Sequence, residues 1–181
     1  MGVVAVGVNW FIAAYNGFVR LRNRGKEAWS DIEVQLKRRF NLIPNIIETV
    51  KGYTSHEKET LENVTKARTA AMSAEGSGNM KEAARAENML SGALKTLFAV
   101  TENYPDLKAN ANFLDLQREL ADTENKIQAS RRFYNGTVKD LNNKIDMFPS
   151  NIVAKMFKIG KMEFFDLDDN PQEREVVRVK F

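Results

Sequence analysis

The chain has 181 residues, of which 43% are hydrophobic and 28% are charged, a balance typical of one folded domain rather than a disordered chain. The formal net charge of +3 is too small to indicate a nucleic-acid-binding protein, and the absence of cysteine excludes disulfides, thiolate metal sites and cysteine nucleophiles. The single histidine, His56, excludes any site that needs two imidazoles from one chain.

The first 19 residues carry no charged side chain, and the run from Val3 to Val19 is mostly apolar. As a helix this run is about 26 Å long, close to the thickness of the hydrocarbon core of a membrane. Asn9 and Asn16 weaken the signal, because an amide in lipid is costly unless it is hydrogen-bonded. We predict that residues 1–19 form a membrane anchor; the alternative is that they form the first turns of helix one.

A basic cluster follows this segment directly, between residues 20 and 26. Basic residues beside an apolar run bind anionic lipid head groups; the alternative is a solvated helix face. The positive-inside rule then predicts a single-pass protein of the cell membrane, with its N-terminus outside and its bundle in the cytoplasm. The candidate membrane contacts in this part of the chain are Trp10, Tyr15, Arg20, Arg22, Arg24 and Lys26.

Helix one is predicted from about residue 9 to Gly52, because apolar residues recur there at steps of three and four. Pro44 lies inside the pattern and frees the carbonyl of Phe40, which predicts a kink without a full break. Asn41 and Asn45 are predicted to satisfy that carbonyl; the alternative is a polar recognition surface. The apolar stripe consists of Trp29, Ile32, Leu36, Phe40, Ile43, Ile47 and Val50.

Helix two is predicted over about residues 55–74, with Thr54 and Glu57 forming a capping box at its start. Arg68 is expected to join its apolar stripe through the hydrocarbon stem. We interpret His56 as an exposed or capping residue, because position 60 is Thr60 and a metalloprotease helix would need a second histidine there.

A Gly-Ser-Gly loop at residues 76–78 separates helix two from helix three, which is predicted over about residues 80–103 with Asn79 at its start. Helix four is predicted over about residues 112–147, where apolar residues recur at steps that sum to seven. This regularity favours shallow packing against antiparallel neighbours. Its stripe consists of Phe113, Leu116, Leu120, Ile127, Tyr134, Val138, Leu141, Ile145 and Phe148.

The fold class that follows is all-α: an antiparallel up-and-down bundle of four long helices, with an N-terminal apolar helical extension and an extended C-terminal tail. We place the bundle at residues 20–160 and the acidic tail at residues 161–181. At the end of the bundle, residues 151–159 form a short amphipathic segment that Ser150 is expected to cap. This segment either lies on an anionic membrane surface or folds back on the bundle as a lid. The basic residues in and directly after it are Lys155, Lys158 and Lys161.

Several short motifs, occurring in order along most of the chain, resemble the LemA family. They are the stretches at residues 21–24, 27–32, 34–39, 42–45, 48–53, 104–109, 123–127, 133–135 and 148–151. The resemblance implies a bacterial or archaeal protein with an N-terminal membrane segment and a helical bundle on its cytoplasmic side. It implies no enzymatic activity, cofactor or catalytic residues. Family members are often encoded near membrane metalloproteases, and a related branch takes part in magnetosome formation.

The sequence lacks the patterns that mark common active sites. It has no Glu-x-x-His pairs for a di-metal bundle, no phosphate-binding glycine loop and no serine nucleophile elbow. We therefore expect a membrane-anchored, non-enzymatic scaffold without cofactor, metal, nucleic acid or small-molecule substrate. Its expected partners are membrane lipid and an unidentified membrane protein, with a membrane metalloprotease as one candidate. The alternative is a peripheral lipid-binding or membrane-remodelling protein.

Overall fold

The computed structural model describes residues 2–54 and 56–165, with side chains from residue 5 onwards, and these residues are all-α as predicted. No strand occurs within these ranges. The acidic tail from residue 166 onwards lies outside them. The helices are α1 (Gly2–Lys51), α2 (Lys58–Gly76), α3 (Met80–Thr101), α4 (Pro105–Lys108), α5 (Ala111–Asp146) and α6 (Ser150–Met156).

Helix α1 continues without interruption from the apolar N-terminal segment into the bundle. It has 50 residues, which corresponds to about 75 Å of helix. Its predicted stripe is confirmed, since the side chains from Ile32 to Val50 at steps of three and four are buried. The buried positions also include Arg39, which the sequence analysis had assigned to no role.

The helix passes through Pro44 without ending, and the carbonyl freed by this proline has a partner from another helix. The Nε of Arg68 on α2 donates a hydrogen bond of 2.7 Å to the Phe40 carbonyl oxygen. The predicted role of Asn41 and Asn45 is therefore wrong. Both residues are exposed, because their positions turn their side chains away from the packed face of α1.

The predicted capping box at the start of α2 is also wrong. The Thr54 hydroxyl donates to the Val50 carbonyl at 3.1 Å, so it completes the end of α1. Helix α2 begins at Lys58 without a side-chain cap, and the Glu57 carboxylate accepts a hydrogen bond of 3.0 Å from the hydroxyl of Tyr104. His56 is exposed in the turn between the two helices.

The predicted start of α3 is confirmed. The Asn79 side-chain oxygen accepts hydrogen bonds from the backbone N–H groups of Lys81 and Glu82, at 3.1 and 3.2 Å. These groups have no partner inside the helix, so the asparagine satisfies two of the free donors at the helix start. The turn at 77–79 is short, and α2 and α3 pack against each other as a helical hairpin.

Helices α1 and α5 form the other closely packed pair. The ring of Trp29 packs at a tilt against that of Tyr134, with centroids 5.7 Å apart, and Arg39 pairs with Glu124 at 2.6 Å. Residue numbers therefore rise along α1 as they fall along α5, so the two helices are antiparallel.

Two features near the loops differ from the prediction. The four-residue helix α4 buries Leu107, and it was not predicted because so short an element carries no periodic pattern. Phe148 was placed on the buried stripe of the last long helix, but it is 78% exposed. Helix α5 ends at Asp146, so Phe148 no longer follows the helical phase of that stripe.

Candidate membrane-contact surface

The N-terminal part of α1 carries an apolar stripe that faces away from the bundle. Val8, Ile12, Tyr15 and Val19 are spaced by four, three and four residues, so they share one helix face. Their exposed fractions lie between 37% and 54%, whereas Phe18, on the side of the helix that packs on the bundle, is 1% exposed. An exposed apolar stripe of this kind marks a surface for lipid or for another protein.

Helix α6 packs beside this stripe. Val153 and Ala154 are buried in a small cluster with Phe18, and the ring of Phe157 lies 4.5 Å from that of Tyr15. The segment therefore folds back on the bundle, as one of the two alternatives predicted, but only one of its sides is buried there. The other side remains exposed, as Ile152 shows with 52% of its area accessible.

Ser150 acts differently from the prediction. Its hydroxyl contacts the carbonyl oxygens of Lys144 and Met147, at 2.6 and 2.9 Å, so it closes the end of α5. The N-cap of α6 is Pro149, and no side chain caps that helix. This difference arises because the chain turns tightly between the two helices and brings the serine under the last turn of α5.

The charge around this surface has a single sign over two stretches of sequence. Residues 1–26 and 147–162 contain no aspartate or glutamate. All the predicted basic contacts in them are exposed. Arg24 lies over the Phe133 ring at 4.8 Å, and Lys161 pairs with Asp146 at 2.7 Å.

Lys144 is a further basic residue that the sequence analysis missed. Its ammonium group lies 5.0 Å from the Phe18 ring, against Gly17, where a side chain would occupy the same space. Burial, followed by the nearby charge of Arg20, lowers the pKa of Lys144. No local pattern marks this residue, since its position depends on how α1 and α5 pack.

The structure thus brings Tyr15 and α6 together, and it places Trp10 on the N-terminal part of α1, with 42% of its area exposed. Contact of these residues with lipid stays a prediction. Among the described residues, no helix combines the length and the apolar character needed to cross a membrane. The predicted single-pass topology and its orientation therefore have no support in the structure.

A buried charged cluster lies at the centre of the bundle and was also missed. Arg39 on α1 pairs with Glu87 on α3 and with Glu124 on α5, and it donates to the Ser91 hydroxyl at 3.1 Å. Burial lowers the pKa of Arg39, and the carboxylate of Glu124 opposes this effect. The cluster ties three helices together. The sequence contained a signal for it, because Arg39 and Glu87 both fall at core-facing steps of otherwise apolar stripes.

The residues of the surface and of the central cluster supply apolar, cationic and paired charged groups. Among the described residues, no three acidic or histidine side chains are grouped so that they would hold a metal ion. In the central cluster Arg39 and Glu87 are buried and Glu124 is partly exposed, and the surface at α1 and α6 offers apolar and cationic groups. This combination suits a surface that meets an anionic, partly apolar partner.

Comparison with known proteins agrees with the resemblance seen in the sequence. A profile of the LemA family matches residues 28–181. Protein LemA of Metamycoplasma hominis is 27% identical over 170 residues, which cover 92% of this chain and 76% of that protein. Magnetosome protein MamQ 2 of Paramagnetospirillum magneticum is 23% identical over 192 residues, covering 91% of this chain and 71% of that protein. The profile match extends over most of the sequence, and the chain belongs to the LemA family.

Proposed function

We propose that this protein is a membrane-associated, non-enzymatic scaffold that contacts an anionic membrane surface through α6 and the N-terminal part of α1. The observation that carries the proposal is the exposed apolar stripe of α1 lying beside the exposed side of α6, in two stretches of sequence without acidic residues. The names of the relatives describe no reaction, which agrees with a supporting role.

The physical basis is a combination of two weak attractions. Each lysine or arginine near an anionic membrane contributes about 1 kcal/mol, and each apolar side chain that enters the interface adds the free energy of its buried area. Neither attraction requires a helix that spans the bilayer. An amphipathic surface of this kind lies in the plane of the interface, with its apolar side chains at the level of the head groups.

Vesicle flotation tests this proposal. The protein is mixed with vesicles of phosphatidylcholine alone or with 30% phosphatidylserine, at low and high salt. We expect flotation with the anionic vesicles that weakens as salt rises, because ions screen the attraction between surface charges. Lys155→Glu/Lys158→Glu should reduce flotation, whereas the matched pair Lys81→Glu/Lys95→Glu on α3 should not. Equal flotation of both variants, or none with wild type, would contradict the proposal.

The scaffold role requires a protein partner, and a groove at the far end of α1 supports one. A cavity of about 520 Å³ between α1 and α2 is lined by Ile47 and Leu61, by three lysines and by one carboxylate, Glu62, which lies 3.9 Å from the ammonium of Lys58. The three lysines are Lys51, Lys58 and Lys66, so the lining keeps an excess of positive charge. Ile47 lies 29 residues beyond Phe18 on the same helix, which corresponds to about 44 Å. An acidic, partly apolar segment of a membrane protein would fit this groove.

Cross-linking in membranes tests the partner. A photoreactive residue at position 66 should form one defined adduct with a membrane protein, such as the metalloprotease suggested by the resemblance. Lys51→Glu/Lys58→Glu in the same protein should abolish that adduct by reversing the charge of the groove. An adduct that survives this charge reversal would exclude the groove as the contact.

A further inference from the structure

The five residues that follow α6 and the short turn after it lie across α5 as an extended segment, held through its backbone. The side-chain amide of Asn142 donates to the Met162 carbonyl at 2.9 Å and accepts from the Met162 N–H at 3.0 Å. Asn135 does the same with Phe165, with both distances 2.9 Å. Each amide therefore pairs with a backbone residue as a neighbouring strand would.

The spacing of the two asparagines matches the geometry of an extended peptide. They are seven residues apart on α5, which corresponds to about 10.5 Å of helix rise. Met162 and Phe165 are three residues apart, which corresponds to about 10 Å of extended chain. Because the two repeats agree, one helix face can hold a peptide backbone at both points.

Side chains add selectivity to these backbone contacts. Phe165 is buried between α1 and α5, with its ring 5.2 Å from that of Trp29 and 5.7 Å from the guanidinium of Arg131. The Met162 side chain lies against Gly25, where a Cβ atom would stand 3.0 Å from its terminal methyl. A further backbone contact comes from the Tyr134 hydroxyl, which donates to the Glu163 carbonyl at 2.9 Å.

We propose that this groove between α1 and α5 is a peptide-binding site, filled in the isolated chain by residues 161–165. It would accept an extended segment of another protein in which an unbranched apolar residue is followed three positions later by phenylalanine. Backbone pairing provides affinity and the buried aromatic side chain provides specificity, as in other sites that bind extended peptides.

The resident segment, residues 161–165, has features that favour its replacement by a peptide from another protein. It is short, and both residues between the anchors, Glu163 and Phe164, are exposed. Lys161 makes an ion pair of 2.7 Å with Asp146, and both side chains of this pair are more than half exposed. The segment is joined to α6 through Lys158, which has a φ of 51°, and the exposed Gly160. Tethering gives it an effective concentration in the millimolar range, so an outside peptide competes only when it binds well or when the resident segment is weakened. This inference does not depend on membrane contact.

The test uses the full-length chain and a fluorescein-labelled peptide with the sequence of residues 159–165, measured by fluorescence anisotropy. Phe165→Ala empties the aromatic pocket, and we expect this variant to bind the peptide at least tenfold more tightly than wild type. A peptide with alanine in place of its last phenylalanine should lose at least tenfold in affinity for the same variant. Adding Asn142→Ala to Phe165→Ala should weaken binding to a similar degree.

The proposal is overturned if Phe165→Ala gains no affinity, or if it binds both peptides equally. Circular dichroism shows whether Phe165→Ala remains folded. If it does not, Met162→Ala provides the same test, because it weakens the resident segment at a half-buried position and leaves Phe165 in place. We expect at least a threefold gain in affinity for that variant, and no gain would equally reject the site.

Discussion

The guanidinium of Arg68 on α2 donates to the carbonyl oxygen of Phe40 on α1, at 2.7 Å. This is the carbonyl that Pro44 leaves without its normal helical donor, four residues along the chain. A side chain from a neighbouring helix thus replaces a missing backbone hydrogen bond. The pair also connects the α2/α3 hairpin to α1.

Arg68→Met should lower the free energy of unfolding by about 1–3 kcal/mol, because it leaves the Phe40 carbonyl without a partner. With Pro44→Ala in the same chain, residue 44 donates to that carbonyl, and the cost of Arg68→Met should fall by at least half. Urea denaturation of the four proteins measures the coupling. A cost that is the same in both backgrounds would show that Arg68 acts by packing alone.

Replacing the buried Arg39 should lower the free energy of unfolding far more than replacing the neighbouring Arg38. Arg39→Met leaves Glu87 and Glu124 without their cation and should cost about 3–5 kcal/mol. Arg38→Met removes a half-exposed pair with Glu119 and should cost less than about 1 kcal/mol.

Replacing Arg39 and Glu87 together, by methionine and leucine, should recover more than half of the loss from Arg39→Met. The reason is that no charge of the Arg39–Glu87 pair then remains buried. Thermal or urea unfolding of this double variant checks the prediction. A double variant less stable than Arg39→Met would mean that Glu87 stabilises the fold even without Arg39.

The Tyr134 hydroxyl should make the protein less stable to unfolding as the pH becomes alkaline. Burial, followed by the charge of Glu163, raises the pKa of Tyr134 above its usual 10.0. The neutral phenol therefore contributes stability that is fully present below pH 10 and is lost as the pH rises through the folded-state pKa. Tyr134→Phe should cost about 1 kcal/mol at neutral pH, and this difference should shrink between about pH 9 and pH 11.

Urea midpoints of wild type and Tyr134→Phe, measured across that pH range, test whether the difference in stability shrinks as the pH rises. Asn79→Ala is the control, because it removes no titratable group and should give a difference from wild type that is unchanged over the range. A gap between wild type and Tyr134→Phe that widens with pH would contradict the assignment of the pH effect to this hydroxyl.

Fluorescence distinguishes the N-terminal part of α1 from its middle, because the chain has only two tryptophans. Trp10 is exposed near the N-terminus, and Trp29 is half-buried in the bundle, about 28 Å further along the helix. Trp10 lies nearly opposite the stripe of Val8 and Ile12 on the helix, so contact through that stripe should leave the emission of wild type almost unchanged when anionic vesicles are added. A shift to shorter wavelength that Trp10→Phe abolishes would place the contact on the other face of α1.

Asn79, which caps the N-terminus of α3, should contribute measurably to the stability of the protein. Asn79→Ala removes two accepted hydrogen bonds and should cost about 0.5–2 kcal/mol of stability. Asn63→Ala, an exposed change inside α2, is the matched control and should alter stability by less than about 0.5 kcal/mol. Equal effects of the two substitutions in urea denaturation would argue against the cap.

The amino-acid sequence by itself determined the helices and their buried faces. Steps of three and four place Ile32, Leu36 and Val50 on one face of α1 whatever packs against it, and Asn79 caps α3 through groups two and three residues away. Such features depend on neighbours along the chain, so a periodic pattern is enough to predict them. The seven-residue steps of α5 likewise predicted its buried stripe.

Only the tertiary structure decided which polar groups meet. Arg68 with Phe40, Arg39 with Glu87, and Asn142 with Met162 join residues that are 20 to 48 positions apart. The same tertiary packing decided that Thr54 closes α1 instead of starting α2, and that α6 buries one side and exposes the other. A hydrogen bond requires its donor and acceptor within about 3 Å of each other. Periodicity fixes the face on which a side chain lies, but it does not fix which residue of another helix lies opposite.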